Sequence, residues 1–205
     1  MPPVQGLRVV IVGDSLSAGP HTPGRVLGDR LAAQGADVTV NARVGRSANN
    51  FYGREDWRAQ LQQIAAGKPD VAIVVLGTND IGLSMSVDGQ RMAQLREALA
   101  GAGADVYAFG PPAFPPGTRL VAGQPQVVRM MRGVFGGDRF IDLTPLTSDL
   151  VGSAHRTGDQ VHFTSAGGDV AGQRMADQFL RASSSPGGGW PVAIALLIAG
   201  WFLVR

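Results

Sequence analysis

Ser15 stands just beyond an apolar run in VVIVGDSLSAG, and Asp159 and His162 stand three residues apart in TGDQVHFTSAGG. A serine hydroxyl is a poor nucleophile until a neighbouring base accepts its proton and a third group orients that base. Asp159 and His162 come immediately before a helical segment that begins near Ser165. On one loop, the carboxylate could hold the imidazole Nδ1 proton while Nε2 faces Ser15. Each residue also has a plainer reading, because a serine after a strand serves as a turn residue or helix N-cap and a loop histidine is commonly just solvated. His21 and His155 have no comparably placed carboxylate in the local sequence, and the separation of the histidines gives no compact metal-ligand spacing. Asn79, in LGTND, falls at the end of another apolar run, where its amide could donate to a developing oxyanion. The alternative there is an Asx-type turn with Asp80 capping the next helix.

Such residues need a scaffold that brings distant positions to one edge. Short apolar, β-branched runs recur at Arg8 to Val12, Val38 to Val40, Val71 to Leu76, Val106 to Phe109 and Arg139 to Leu143, each ended by glycine or polar residues. Between them lie segments with helical spacing of apolar residues, around Val26 to Ala33, Trp57 to Ala66, Met92 to Ala100, Val127 to Phe135 and Ala171 to Leu180. Strand and helix alternate, and the strands are almost continuously apolar, which argues a parallel sheet covered by helices on both faces. Ligands of such sheets bind at the carboxyl ends of the strands. The first and third of the loops there, beginning at Gly13 and Gly77, contain the most chemically loaded residues.

The chain has 205 residues, 44% hydrophobic and 17% charged, with a formal net charge of +2, as expected of one globular domain with a substantial core. Arginines are scattered singly, and no basic run is interleaved with aromatics, so a nucleic-acid partner is not expected. With no cysteine, disulfides, zinc thiolates and thiol nucleophiles are excluded. The first fifteen residues lack the pattern of a secretory signal.

The composition changes after Leu180. Residues 1–182 are expected to form the folded domain, and 183–189 a Ser/Pro/Gly-rich tether spanning roughly 15 Å. Residues 190–205 read as an apolar tail. Trp190 to Val204 carries no charge, and as a helix Gly187 to Val204 would rise about 27 Å against a hydrocarbon core of about 30 Å. The tail is therefore an expected membrane anchor for a domain that is otherwise cytoplasmic.

The chemical residues fall in four blocks in order: GDSLS at Gly13, VGRSANN at Val44, GTND at Gly77 and DQVH at Asp159. From about Arg8 to Leu180 the chain resembles the SGNH or GDSL family of serine esterases and lipases. That resemblance implies a three-layer α/β/α sandwich with a five-stranded parallel sheet, flavodoxin-like in order. It also implies Ser15 as nucleophile, His162 as general base and Asp159 as the residue that orients it. The oxyanion hole would comprise the Ser15 N–H, the Gly45 N–H and the Asn79 side-chain amide, with no cofactor. The α/β-hydrolase elbow G-x-S-x-G is absent because Ser17 stands where the second glycine would fall. Neither phosphate-binding glycine motif follows the first strand.

The segment VNARVGRSANNF is similar to the G-R-S segment of carbohydrate acetylesterases such as the rhamnogalacturonan acetylesterase group. At GTND the chain departs from that group, which would have histidine at Thr78, and is similar to small-acyl esterases, lysophospholipases and thioesterases. The resemblance thus implies removal of short acyl groups, acetyl above all, from a carbohydrate or cell-envelope substrate. The alternatives are a lysophospholipase or thioesterase of the same fold and a catalytically silent, membrane-tethered carbohydrate-binding module. The four prolines of GPPAFPPG, Gly110 to Gly117, stiffen either a pocket wall or a surface connection.

Overall fold

The apolar runs form five strands in the computed structural model, which describes residues 4–48 and 58–184. They are β1 (Arg8–Gly13), β2 (Asp37–Ala42), β3 (Val71–Val75), β4 (Asp105–Phe109) and β5 (Phe140–Ile141). All pairings are parallel, in the order β2-β1-β3-β4-β5. The helices are α1 (Pro23–Ala32), α2 (Arg58–Ala66), α3 (Met85–Gly101), α4 (Arg119–Phe135), α5 (Thr144–Thr147) and α6 (Ser165–Ser184).

Pleating sends alternate side chains to opposite faces. Val10, Val12, Ala72, Val74 and Ala108 pack with Leu61 of α2, Leu95 and Leu99 of α3, and Val127, Met131 and Phe135 of α4. Val9, Ile11, Ile73, Val75 and Phe109 pack on the other face with Leu27 and Leu31 of α1 and Met175 and Phe179 of α6. The result is a three-layer α/β/α sandwich, and each fully buried leucine or phenylalanine in it contributes roughly 1.5–3 kcal/mol.

Register matters most for function. Gly13 of β1 lies opposite Ala42 of β2 and Val75 of β3, so the three strands end flush and their following loops emerge side by side. The strand order reverses between β1 and β3, opening the crevice in which α/β sheets bind ligands. The ladder even continues one step beyond the strands: Asp14 N–H donates to the Val75 carbonyl and Arg43 N–H to that of Gly13, at 3.2 and 3.1 Å.

Several boundaries differ from the sequence expectation. β2 is an edge strand with its valines half-buried rather than buried. β5 pairs only through Phe140 and Ile141, because Asp142 Oδ1 accepts the Thr144 N–H at 2.9 Å and turns the chain into α5. α4 begins at Arg119, ahead of the expected start, and carries Pro125 inside it at the loss of one N–H donor. α6 continues through Ser183 and Ser184, two residues beyond the domain end expected at residue 182. Their hydroxyls donate to the Leu180 carbonyl at 3.1 and 2.7 Å, and Ser183 is buried. The rest of the expected tether, the apolar tail, Asn49, Asn50 and Trp57 lie outside the described residues. Among the described residues no helix is long and apolar enough to cross a membrane.

Candidate active site

After β1 the chain makes a tight turn built by its own residues. Asp14 Oδ1 accepts the Leu16 N–H at 2.8 Å, and the Asp14 carbonyl accepts the Ser17 N–H at 3.0 Å. Ser15 is left half-exposed at the tip, and its N–H has no acceptor among the described residues. Ser17, by contrast, is buried between Gly13 and Gly24, and a Cβ on either glycine would run into its side chain. The second serine of GDSLS is thus a packing residue.

The loop before α6 brings His162 to Ser15. His162 Nε2 lies 3.0 Å from Ser15 Oγ, and Nδ1 lies 2.6 Å from Asp159 Oδ2. The other carboxylate oxygen, Oδ1, accepts the Thr157 hydroxyl at 2.6 Å and the N–H groups of Val161 and His162 at 2.9 and 3.0 Å. Burial works against the charge on Asp159. The hydrogen bonds from Thr157, the imidazole and the two N–H groups outweigh it and hold the carboxyl well below the usual carboxylate range. An imidazole whose Nδ1 proton is held by an ionised carboxylate has Nε2 available to take a hydroxyl proton.

Helix α6 places this loop through its glycines. The Gly167 N–H donates to Thr164 Oγ1 at 3.3 Å, satisfying a free donor of the first turn. A Cβ at Gly167 would collide with the His155 carbonyl, and one at Gly168 with the His21 carbonyl. Glycines that weaken helix propensity are needed for this close approach, which explains why apolar spacing shows only from Ala171 onward.

On the neighbouring loops, Gly77 leaves β3 at φ +108° and leads into a 3-10 turn, Thr78–Asp80. Asn79 Nδ2 donates to the Arg46 carbonyl at 3.0 Å and makes a longer contact, 3.4 Å, with Asp14 Oδ2. Asp80 does not cap α3. Its Oδ1 accepts the Ala48 N–H at 2.7 Å and joins the loops after β2 and β3. Gly45 has φ +76°, a left-handed conformation that favours glycine, and immediately precedes the residue whose carbonyl receives the Asn79 amide.

Residue type alone did not single out the braces of this cluster. Arg46 is buried, with Nη1 on the Asn41 carbonyl at 2.8 Å and Nη2 on Gln60 Oε1 at 2.8 Å. Asp14 is also buried, and burial pushes its carboxyl up to about 7 against the opposing influence of the Leu16 N–H, His162 and Arg46. Both residues stand in the quoted blocks, which was the available signal. The remaining histidines lie elsewhere: His21 pairs with Asp169 at 3.0 Å, and His155 contacts Ser153 at 3.3 Å. Among the described residues no group of three or more acidic or histidine side chains converges as a metal site.

Residues 11–170 match the model of the GDSL-like lipase/acylhydrolase family. Among solved structures, the chain is similar to a lipase/acylhydrolase from Enterococcus faecalis, at 18% identity over 85% of this chain and 96% of that one, with a TM-score of 0.65. It is also similar to a catalytic mutant of Axe2, an acetylxylan esterase from Geobacillus stearothermophilus, at 14% identity over 90% and 97%, TM-score 0.69. A third is the psychrotrophic esterase EstA from Pseudoalteromonas, at 17% identity over 87% and 99%, TM-score 0.65. These identities carry the fold. A comparison with curated proteins finds no match.

Proposed function

The chain belongs to the GDSL-like lipase/acylhydrolase family and is a carboxylic ester hydrolase, and we propose that it works through an acyl-enzyme on Ser15, removing short acyl groups from a carbohydrate or cell-envelope substrate. The observation that carries this reading is the unbroken contact from Ser15 Oγ to His162 Nε2, at 3.0 Å, and from His162 Nδ1 to Asp159 Oδ2, at 2.6 Å.

Ser15 Oγ attacks the ester carbonyl carbon as its proton passes to His162 Nε2, and Asp159 remains ionised beside the imidazolium. The carbonyl oxygen becomes an oxyanion, received by the N–H groups of Ser15 and Gly45 and by the Asn79 amide. The 3.4 Å contact of Asn79 with Asp14 is long enough for that N–H to exchange its acceptor for the oxyanion. Collapse expels the alcohol, which takes the proton from His162. A water molecule, deprotonated by the same nitrogen, then attacks the acyl carbon. Its collapse releases the carboxylic acid and restores the Ser15 hydroxyl.

Short acyl groups are favoured by the half-exposed Ser15. A carbohydrate carrier is supported by the G-R-S segment and by the likeness to an acetylxylan esterase. Acyl release should be measured from p-nitrophenyl acetate, longer p-nitrophenyl esters, acetylated glycans and lysophospholipids. Highest kcat/KM on acetyl esters and acetylated glycans supports the reading, whereas preference for long acyl chains or lysophospholipids replaces it with the lysophospholipase alternative. The uncharged run 190–204 supports a further proposal, that the domain is held at a membrane by its C-terminal tail.

A further inference from the structure

We infer that Arg156 is a positioning residue for His162, its guanidinium pinning the loop that carries the base to the loop that follows β4. The inference rests on the Ser15–His162–Asp159 reading above. It concerns a residue outside all four sequence blocks.

Arg156 and Phe163 form an isolated antiparallel bridge that closes the loop bearing Asp159 and His162. Inside that closure the Arg156 side chain is buried. Its Nη1 donates to the carbonyl of Val161, the residue before His162, at 2.7 Å. Its Nη2 donates at 2.8 Å to the carbonyl of Ala113 in the proline-rich segment after β4. The guanidinium carbon sits 3.8 Å from the centroid of the Phe163 ring. The Ala113 end is itself fixed, since its N–H donates to Thr147 Oγ1 at 2.9 Å and the flanking Pro112 carbonyl accepts from Gln124 Nε2 at 2.6 Å.

A buried cation that serves only as filler would be an expensive choice. Among the described residues Arg156 has no carboxylate within ion-pair distance and its Nε is buried without a partner, and burial pushes its pKa down to about 10 despite the attraction of Asp159. What the planar fork supplies is direction: two donors fixed in one plane, one on each loop, stacked on an aromatic face. Lysine cannot reproduce it. The base is thereby located relative to the carboxyl end of β4 as well as through α6.

The role is tested by kinetics of Arg156→Met and Arg156→Lys on p-nitrophenyl acetate, normalised to active sites titrated with a fluorophosphonate, with thermal melts of each variant. Since displacement of a catalytic group by about 1 Å can cost about 10²-fold, kcat of the Met variant should fall at least about tenfold while KM stays within about threefold. The Lys variant should recover part of that loss. A residue that only supports the fold would lower Tm and leave kcat per titrated site unchanged, and a folded Met variant with wild-type kcat overturns the role. If the Met variant does not fold, the Lys variant decides: wild-type kcat in it overturns the inference, and a kcat loss of about threefold or more at unchanged KM supports it. A parallel Ser15→Ala control separates the two levels. Turnover that survives Ser15→Ala defeats the nucleophile assignment and this inference with it, whereas Ser15-dependent turnover with unaltered kcat in the Arg156 variants defeats only the inference.

Discussion

His162 Nε2 stands 3.0 Å from Ser15 Oγ although 147 positions separate the two residues in the chain. Two features of the fold bring them together. β1 ends flush with its neighbours, so Ser15 emerges at the crevice, and α6 approaches the adjoining loop so closely that only glycine fits at the contact. That second feature makes the distance sensitive to positions with no chemistry of their own.

Gly168→Ala should show this. The added Cβ would meet the His21 backbone carbonyl, which cannot move like a side-chain tip, so α6 or the Ser15 loop must shift. Overpacking of this kind typically costs about 1–3 kcal/mol. Thermal unfolding should register the loss, and kcat should fall as well, because the helix carries the loop that bears His162.

Asp14 should leave a signature in stability against pH. Its folded pKa of about 7 lies above the unfolded value of about 4. Between those values the unfolded chain has already released the proton that the folded chain still holds, so stability declines as pH rises through this window and levels off above it. Asp14→Asn, which keeps an acceptor for the Leu16 N–H, removes that decline. The Tm of the variant minus that of wild type should therefore increase from pH 4 to pH 7 and be flat above about 8. A constant difference across the range would contradict the assignment.

Asn79→Ala tests the proposed oxyanion hole. Removal of one such donor lowers kcat by about 10²- to 10³-fold, with KM little changed because the interaction strengthens only as charge develops on the oxygen. The lost contact with the Arg46 carbonyl should also appear as a modest fall in Tm. A fall in Tm with kcat retained would leave Asn79 a purely structural role.

How far the sequence alone leads depends on where each signal resides. The five strands were legible because a parallel sheet covered on both faces requires nearly continuous apolar runs, whereas the apolar spacing of α3 and α4 begins at Met92 and Val127, well inside helices that start at Met85 and Arg119. Ser15, Asp159, His162 and Asn79 stood out because the roles proposed for them, nucleophile, orienting acid, base and amide donor, are defined by side-chain type. Arg46 and Arg156 act on backbone carbonyls, which carry no sequence signature. The partner of His21 was invisible for another reason: Asp169 lies 148 positions away.

Truncation after Ser184 tests the tail. Every residue assigned a catalytic role precedes that point, and α6 ends on it. The shortened protein should be soluble, should melt cooperatively and should retain full esterase activity, while the complete chain should resist carbonate extraction from membranes. Release of the complete chain by carbonate, with aggregation of the shortened one, would instead make the apolar run part of the core.

The site of covalent capture tests Ser15 as the nucleophile most directly. The protein, treated with a fluorophosphonate, should be digested and mapped by mass spectrometry, with Ser15→Ala assayed in parallel on p-nitrophenyl acetate. A single adduct on Ser15 is expected, with no adduct on the buried Ser17 and loss of turnover in a variant that still unfolds cooperatively. An adduct on another residue, or wild-type turnover in Ser15→Ala, would contradict the nucleophile assignment.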